Sequence, residues 1–109
     1  MILKVKDLDD GAILYQDAAF DPKFVNKNDV IKAAEDVAIT FVVLPLFPKG
    51  FGMSKIDSYS KDAGILTRSI SCSGRNIRIT WNEDGSKNIE DNSVPDRRFE
   101  IVVEDFIEK

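Results

Sequence analysis

The chain has 109 residues, of which 43% are hydrophobic and 31% are charged, and its formal net charge is −4. This composition excludes wholesale disorder and predicts a single folded domain over residues 1–109. The acidic balance argues against a general nucleic-acid-binding protein, which needs a basic surface to neutralise phosphates.

The N-terminal part of the chain predicts a β-hairpin followed by a short helix. Residues 1–6 alternate apolar and lysine side chains, which is typical of a half-buried strand. An Asp- and Gly-rich turn separates them from a second apolar run at 12–15, so these two strands are expected to pair. Beyond a polar stretch, Asn28 is a good N-cap and apolar residues follow at helical spacing. We therefore predict a helix over 29–36.

The most apolar stretch of the chain, residues 37–48, predicts the central strand of the sheet. Its sequence, VAITFVVLPLFP, is rich in β-branched and aromatic residues, which indicates a strand buried on both faces. Regular pairing should end near Pro45, which has no N–H to donate. The loop beyond this proline contains Phe47 and Phe51. These rings either anchor a partner or tuck beneath the sheet, and tucking is the interpretation that we favour.

The second half of the chain predicts the remaining strands. They are expected at 53–59, 65–73 and 75–81, and around 99–103 near the C-terminal end. In the third of these, Ile77, Ile79 and Trp81 face one way. Residues 82–86 (NEDGS) are a strong turn signal, and the segment after them is polar.

Six or seven strands with one short helix, and without alternating strand–helix units, predict an α+β domain built on a mostly antiparallel sheet. A small β-sandwich or half-barrel with the helix across one opening is the alternative. The sequence contains no internal repeat and no linker that would divide the domain.

The side-chain inventory indicates a protein that is not an enzyme. The sequence has no histidine, the commonest general base near neutral pH and a common metal ligand. The single cysteine, Cys72, is expected to be a small buried residue, and one lone thiol suits a reducing cytoplasm. The Asp- and Asn-rich turns do not match the spacing of a calcium loop. We therefore expect no catalytic residue, no metal and no cofactor.

Charge is distributed unevenly along the chain. Residues 51–81 carry 2 acids and 5 bases, whereas residues 82–109 carry 9 acids and 4 bases. The acidic C-terminal part favours a cationic protein as partner. The predicted partner-binding residues are the acids Glu83, Asp84, Glu90, Asp91 and Asp96 and the aromatic residues Phe47 and Phe51.

A group of arginines is expected to pair with acids of the same protein rather than with a ligand. This group consists of Arg68, Arg75, Arg78, Arg97 and Arg98. Two of its members, Arg78 and Arg98, lie on the outward faces of predicted strands. They either neighbour each other or pair across the sheet with Glu100 and Glu104.

In its size, its acidity and its lack of catalytic residues, the whole chain resembles the immunity proteins of bacterial toxin–immunity pairs, including those of contact-dependent growth inhibition systems. No single motif carries this resemblance. It implies a cytoplasmic inhibitor that neutralises a toxin, often a basic nuclease, by direct binding, with neither nucleic acid nor a membrane as partner. The alternatives are a structural or adaptor protein that assembles through sheet edges, and a small-molecule-binding β-barrel.

Overall fold

The computed structural model describes residues 1–23, 26–74 and 77–107. Across these residues, one continuous helix packs on a five-stranded antiparallel sheet, and two further strands form a separate two-stranded sheet. The predicted α+β class and the antiparallel pairing are confirmed. Both sheets are open rather than closed into a barrel, and every residue of the two-stranded sheet is exposed, so the two sheets do not pack as a sandwich.

Six of the seven strands correspond to predicted ones and one was not predicted, while the predicted central strand at 37–48 is not among them. They are β1 (Ile2–Asp7), β2 (Ile13–Asp17), β3 (Gly52–Ser60), β4 (Ile65–Gly74), β5 (Ile77–Trp81), β6 (Lys87–Asp91) and β7 (Val94–Glu104). The five-stranded sheet has the order β2-β1-β7-β4-β3. Its first pair is the predicted N-terminal hairpin. The additional strand is β6, which lies in the polar segment after the predicted turn at 82–86.

The helix is made of three consecutive parts: α1 (Lys27–Ala38), a π-helical segment (Ile39–Val43) and α2 (Leu44–Leu46). Its N-cap is Asn26, whose side-chain oxygen accepts a hydrogen bond from the backbone N–H of Asn28 at 2.8 Å. The helix therefore begins two residues before the predicted start at 29.

The prediction of a central strand over 37–48 is wrong, because residues 37–46 continue the helix. The buried side chains recur every fourth residue, at Val30, Ala34, Ala38 and Val42. This spacing is that of one helix face. On the opposite side, Phe41 and Leu44 are 60% and 46% exposed. These exposed apolar residues make the sequence look uniformly apolar and hide its helical period.

Pro45 lies inside this helix, where the π-helical segment accommodates it. A proline in a helix lacks a donor and its ring crowds the carbonyl four residues earlier. Just before the proline, the N–H of Leu44 bonds to the carbonyl of Ile39, five residues back. This wider turn relieves the crowding that a regular α-turn would impose, and the helix continues to Leu46.

The middle of the sheet is β7, which pairs with β1 on one side and β4 on the other. Its residues Ile101, Val102 and Val103 are all buried, so both faces of the strand are covered at this point. The main core lies between the helix and the sheet and includes Leu3, Val5, Val30, Ile31, Val43, Ile70, Phe99 and Ile101. Within the described ranges, no helix has the length and apolar character needed to cross a membrane.

Candidate protein-binding surface

Residues 77–91 form a projecting hairpin that we call the arm. It consists of β5, the turn at 82–86 and β6, and its strands pair from Ile77–Asp91 to Trp81–Lys87. The turn is closed by the N–H of Asn82, which donates to the carbonyl of Ser86 at 2.8 Å. The turn predicted at 82–86 is thus confirmed.

The strands of the arm, β5 and β6, pair in the same register as β4 and β7. Gly74 pairs with Val94 at the end of the main sheet, and Ile77 pairs with Asp91 three residues further along both strands. The two pairings therefore belong to one long hairpin whose outer part leaves the sheet. The molecule measures 65 × 27 × 21 Å. Its radius of gyration is 17.9 Å, against roughly 13 Å for a compact chain of this length.

Every residue of both arm strands is exposed to solvent. The exposed fractions are 56% for Ile77, 51% for Ile79, 69% for Trp81 and 59% for Ile89. Ile77, Ile79 and Trp81 face one way, as predicted, but this face lies outside the core. A two-stranded hairpin is at best marginally stable alone in water, and a contiguous exposed apolar patch marks an interaction site.

The structure places four of the five predicted acids on the arm. Glu83 and Asp84 lie in its turn, while Glu90 and Asp91 lie on β6, and all four are exposed. Asp96 is also exposed, but it lies on β7 outside the arm. The arm therefore gathers four of these charges at one end of the molecule.

The charge on Asp84 is built into the turn itself. Its carboxylate accepts hydrogen bonds from the backbone N–H of Ser86 at 2.9 Å and from the Ser86 hydroxyl at 2.5 Å. These bonds hold the pKa of Asp84 below its ordinary value. A substitution at Asp84 would therefore change the shape of the turn as well as its charge.

The two predicted aromatic residues are not part of this surface. Phe47 is completely buried and Phe51 is half-buried, with their ring centroids 5.9 Å apart. The Phe47 ring fills the space beside Gly74, where an added Cβ would lie 2.5 Å from it. The tucked arrangement is confirmed, and Phe47 is a core residue that presents no surface to a partner.

Two of the surface arginines pair with acids of the chain, as predicted, although with different partners. Arg98 donates to Asp9 at 2.6 Å, and Arg97 donates to Asp7 at 2.6 Å. The proposed cross-sheet pairing of Arg98 with Glu104 is wrong, because that carboxylate binds a lysine of β1 at 3.1 Å. These contacts tie the start of β7 to the first turn of the chain.

Arg68 is the centre of a buried ion cluster between the helix and the sheet. It donates to Glu35 at 2.8 Å and, through two nitrogens, to the carboxylate of Asp57 at 2.6 and 2.8 Å. Arg68 and Glu35 are only 8% and 5% exposed, and Lys55 lies 3.5 Å from Glu35. The hydrogen bonds lower the pKa of Asp57 and raise that of Arg68. Arg75 was also predicted to pair with an acid of the chain, but it lies outside the described residues.

The single thiol lies in the core rather than on a surface. Cys72 is 1% exposed, and burial raises its pKa to about 11. It therefore stays protonated near neutral pH. The burial of Cys72 agrees with the small core residue that the sequence predicts. Among the described side chains, no group of three or more acids or cysteines is arranged to hold a metal ion.

Sequence reasoning missed the second strand of the arm and therefore the full extent of its apolar face. The available signal was the turn at 82–86 directly after an amphipathic strand, which favours a hairpin and places Ile89 opposite Ile79. The resulting surface combines an aromatic and aliphatic centre with a charged rim, as protein-binding surfaces do. No family model, curated protein or solved structure matches this chain.

Proposed function

We propose that this protein is a cytoplasmic inhibitor of the immunity-protein kind, which neutralises a cationic bacterial toxin by direct contact through the arm. The observation that carries the proposal is the position of the acids. Glu83 and Asp84 lie at the tip of a projecting hairpin and Glu90 lies on β6 opposite Arg78, and all three are accessible to a partner.

The charge of the arm supports a basic protein as its target. Residues 77–91 contain four acids and two bases, which gives a net charge of −2 in fifteen residues. Acidic groups on a projecting element raise the association rate with a cationic surface and make that rate sensitive to salt. The same charges would repel the phosphates of a nucleic acid.

The test measures growth of a bacterial host that expresses the polypeptide encoded directly beside the gene for this chain. We expect this polypeptide to be cationic and toxic, and the wild-type chain to restore growth. The variant Glu83→Lys/Glu90→Lys should lose protection and associate at least about tenfold more slowly at low salt. Asp84 is left unchanged because it holds the turn together.

The matched control is Asp36→Lys/Asp62→Lys, which makes the same change in net charge at exposed positions away from the arm. This variant should protect as well as the wild type. A neighbouring polypeptide without toxicity, or full protection by the arm variant, would contradict the proposal.

Assembly through a sheet edge is a second candidate function, and β3 is the feature that favours it. This nine-residue strand is the last in the order of the sheet, so one side of its backbone faces outward. Ile56 on this strand is 77% exposed. Long edges with exposed apolar residues pair readily with other strands, and a lysine suppresses such pairing. Assemblies of this kind should therefore be lost in Ile56→Lys.

A further inference from the structure

The arm has one apolar and one polar face, which the register of its strands defines. Cross-strand partners point to the same face, and successive residues alternate between faces. One face therefore carries the pairs Ile77–Asp91, Ile79–Ile89 and Trp81–Lys87. We call this the apolar face. The opposite face carries only the polar pairs Arg78–Glu90 and Thr80–Asn88.

Among the described residues, the two charges on the apolar face lie at the opposite ends of its paired segment. Asp91 is at the base of the arm, where it also accepts a hydrogen bond from the N–H of Ser93 at 2.9 Å. Lys87 is near the tip, with its Nζ 5.9 Å from the centre of the Trp81 ring. Between them lie only Ile79 and Ile89. The surface is therefore acidic at one end, apolar in the middle and basic at the other end.

We propose that two copies of this chain form a homodimer by packing their apolar faces together with the arms antiparallel. A two-fold axis perpendicular to the strands, passing over the Ile79–Ile89 pair, generates this arrangement. It places Trp81 against Ile77 of the second copy, and it places Ile79 and Ile89 against their own counterparts. It also places Lys87 opposite Asp91 of the second copy, and does so twice.

The parallel alternative is less complementary. A two-fold axis along the strands would place Asp91 against Ile77 of the second copy and Lys87 against its Trp81. Neither of the two lysine–aspartate contacts would form, and the carboxylate of Asp91 would face an aliphatic side chain of the second copy. Of the two arrangements, only the antiparallel one matches apolar with apolar and acid with base over the described pairs 77–91, 79–89 and 81–87.

The area available is that of a weak but specific dimer. The three half-exposed isoleucines contribute roughly 80 Å² each and the tryptophan about 150 Å². Two such faces bury about 800 Å² of side chain, and the two lysine–aspartate pairs bring the total near the roughly 1,000 Å² of a biological interface. This pairing goes beyond the proposed function, because Glu83 and Glu90 lie outside the apolar face and stay free to meet a target.

Sedimentation velocity of the full chain tests the dimer by charge exchange. From about 1 to about 100 µM, the wild-type chain should pass from monomer toward dimer. Lys87→Asp and Asp91→Lys should each weaken the dimer about tenfold or more, since each creates two like-charge contacts. The double variant Lys87→Asp/Asp91→Lys should recover it. An equimolar mixture of the two single variants should form a heterodimer.

Arg78→Asp is the matched control, because it changes charge on the polar face of the same arm. It should dimerise like the wild type, and circular dichroism should show the same folded body in every variant. A wild-type chain that stays monomeric, or a double variant no better than the singles, would overturn the proposal. So would a dimer that Ile56→Lys abolishes while Lys87→Asp leaves it intact. Failure of the growth assay has no bearing on these results, since the two experiments alter different residues.

Discussion

In the buried ion cluster around Arg68, removing the arginine should destabilise the protein more than removing its partner Glu35. In Arg68→Met, the carboxylate of Glu35 remains 5% exposed, and its remaining charged neighbour is the amine of Lys55 at 3.5 Å. Leaving a buried charge without its main partner costs about 3–5 kcal/mol. In Glu35→Met, Arg68 keeps both hydrogen bonds to Asp57. We therefore expect a smaller loss, of about 1–3 kcal/mol.

Removing both buried charges should be less harmful than removing the arginine alone. The double variant Arg68→Met/Glu35→Met replaces the pair with apolar side chains and leaves Asp57 and Lys55, which are exposed, in contact with water. We expect it to be at least about 1 kcal/mol more stable than Arg68→Met, with a coupling free energy of about 2–4 kcal/mol. Urea unfolding followed by circular dichroism at one low protein concentration measures all three variants.

The control is Arg98→Met, which removes an ion pair with Asp9 of the same 2.6 Å length as the shorter Arg68–Asp57 contact. The side chains of Arg98 and Asp9 are 59% and 53% exposed, so the loss of stability should be only a small fraction of that in Arg68→Met. Equal losses in Arg98→Met and Arg68→Met, or strictly additive losses in the buried pair, would refute the reasoning.

Three further outcomes follow from other parts of the fold. Gly74→Ala should destabilise the protein by about 1–3 kcal/mol, because the added Cβ would lie 2.5 Å from the buried ring of Phe47. Gly52→Ala, another strand glycine, with its nearest contact at 3.9 Å, should change the unfolding free energy by less than about 0.5 kcal/mol. The pKa of Asp57 lies below the ordinary value of about 3.9, chiefly because of its hydrogen bonds from a guanidinium. Its stabilising contribution is complete above that value and is lost as the pH falls through the lower folded-state pKa. Asp57→Asn should therefore flatten the acid side of a stability–pH curve; an unchanged slope would contradict this. Finally, Cys72 should react with a disulfide reagent at least about tenfold faster in urea than in buffer, because the folded thiol is buried and its pKa is about 11. Equal rates would show that the thiol is accessible in the folded chain.

Local patterns in the sequence were sufficient to predict most of the sheet. The alternation at 1–6 and the turn at 82–86 each depend on near neighbours, and both are present in the fold. The acids of the arm were also predictable as a group, because they are close together in sequence. Their gathering on one hairpin follows from pairing of β5 with β6 across a short turn.

The prediction of a strand at 37–48 failed because the secondary structure of this stretch is decided by packing against distant parts of the chain rather than by local sequence. β-Branched residues favour a strand only weakly, and packing of a helix face readily overrides that preference. Here Val42 and Val43 fill the space above the sheet, while Phe41 stacks on Tyr15 of β2 at 5.3 Å. The central position goes to β7 instead, whose apolar residues are interrupted by charged ones and look less buried in the sequence. Similarly, alternation in β5 predicts an apolar face but does not say whether the core covers it.

The position of β7 also has a consequence for how the chain acquires its structure during synthesis. β7 is the last of the seven strands to be made, yet it separates β1 from β4 in the sheet. The contact between β1 and β7 joins residues about one hundred positions apart, such as Ile2 and Glu104. Closing so long a loop makes folding slow, and until it closes the apolar side of the N-terminal hairpin remains uncovered. We therefore expect nascent chains that stop before residue 94 to depend on chaperones, whereas the finished chain folds unaided.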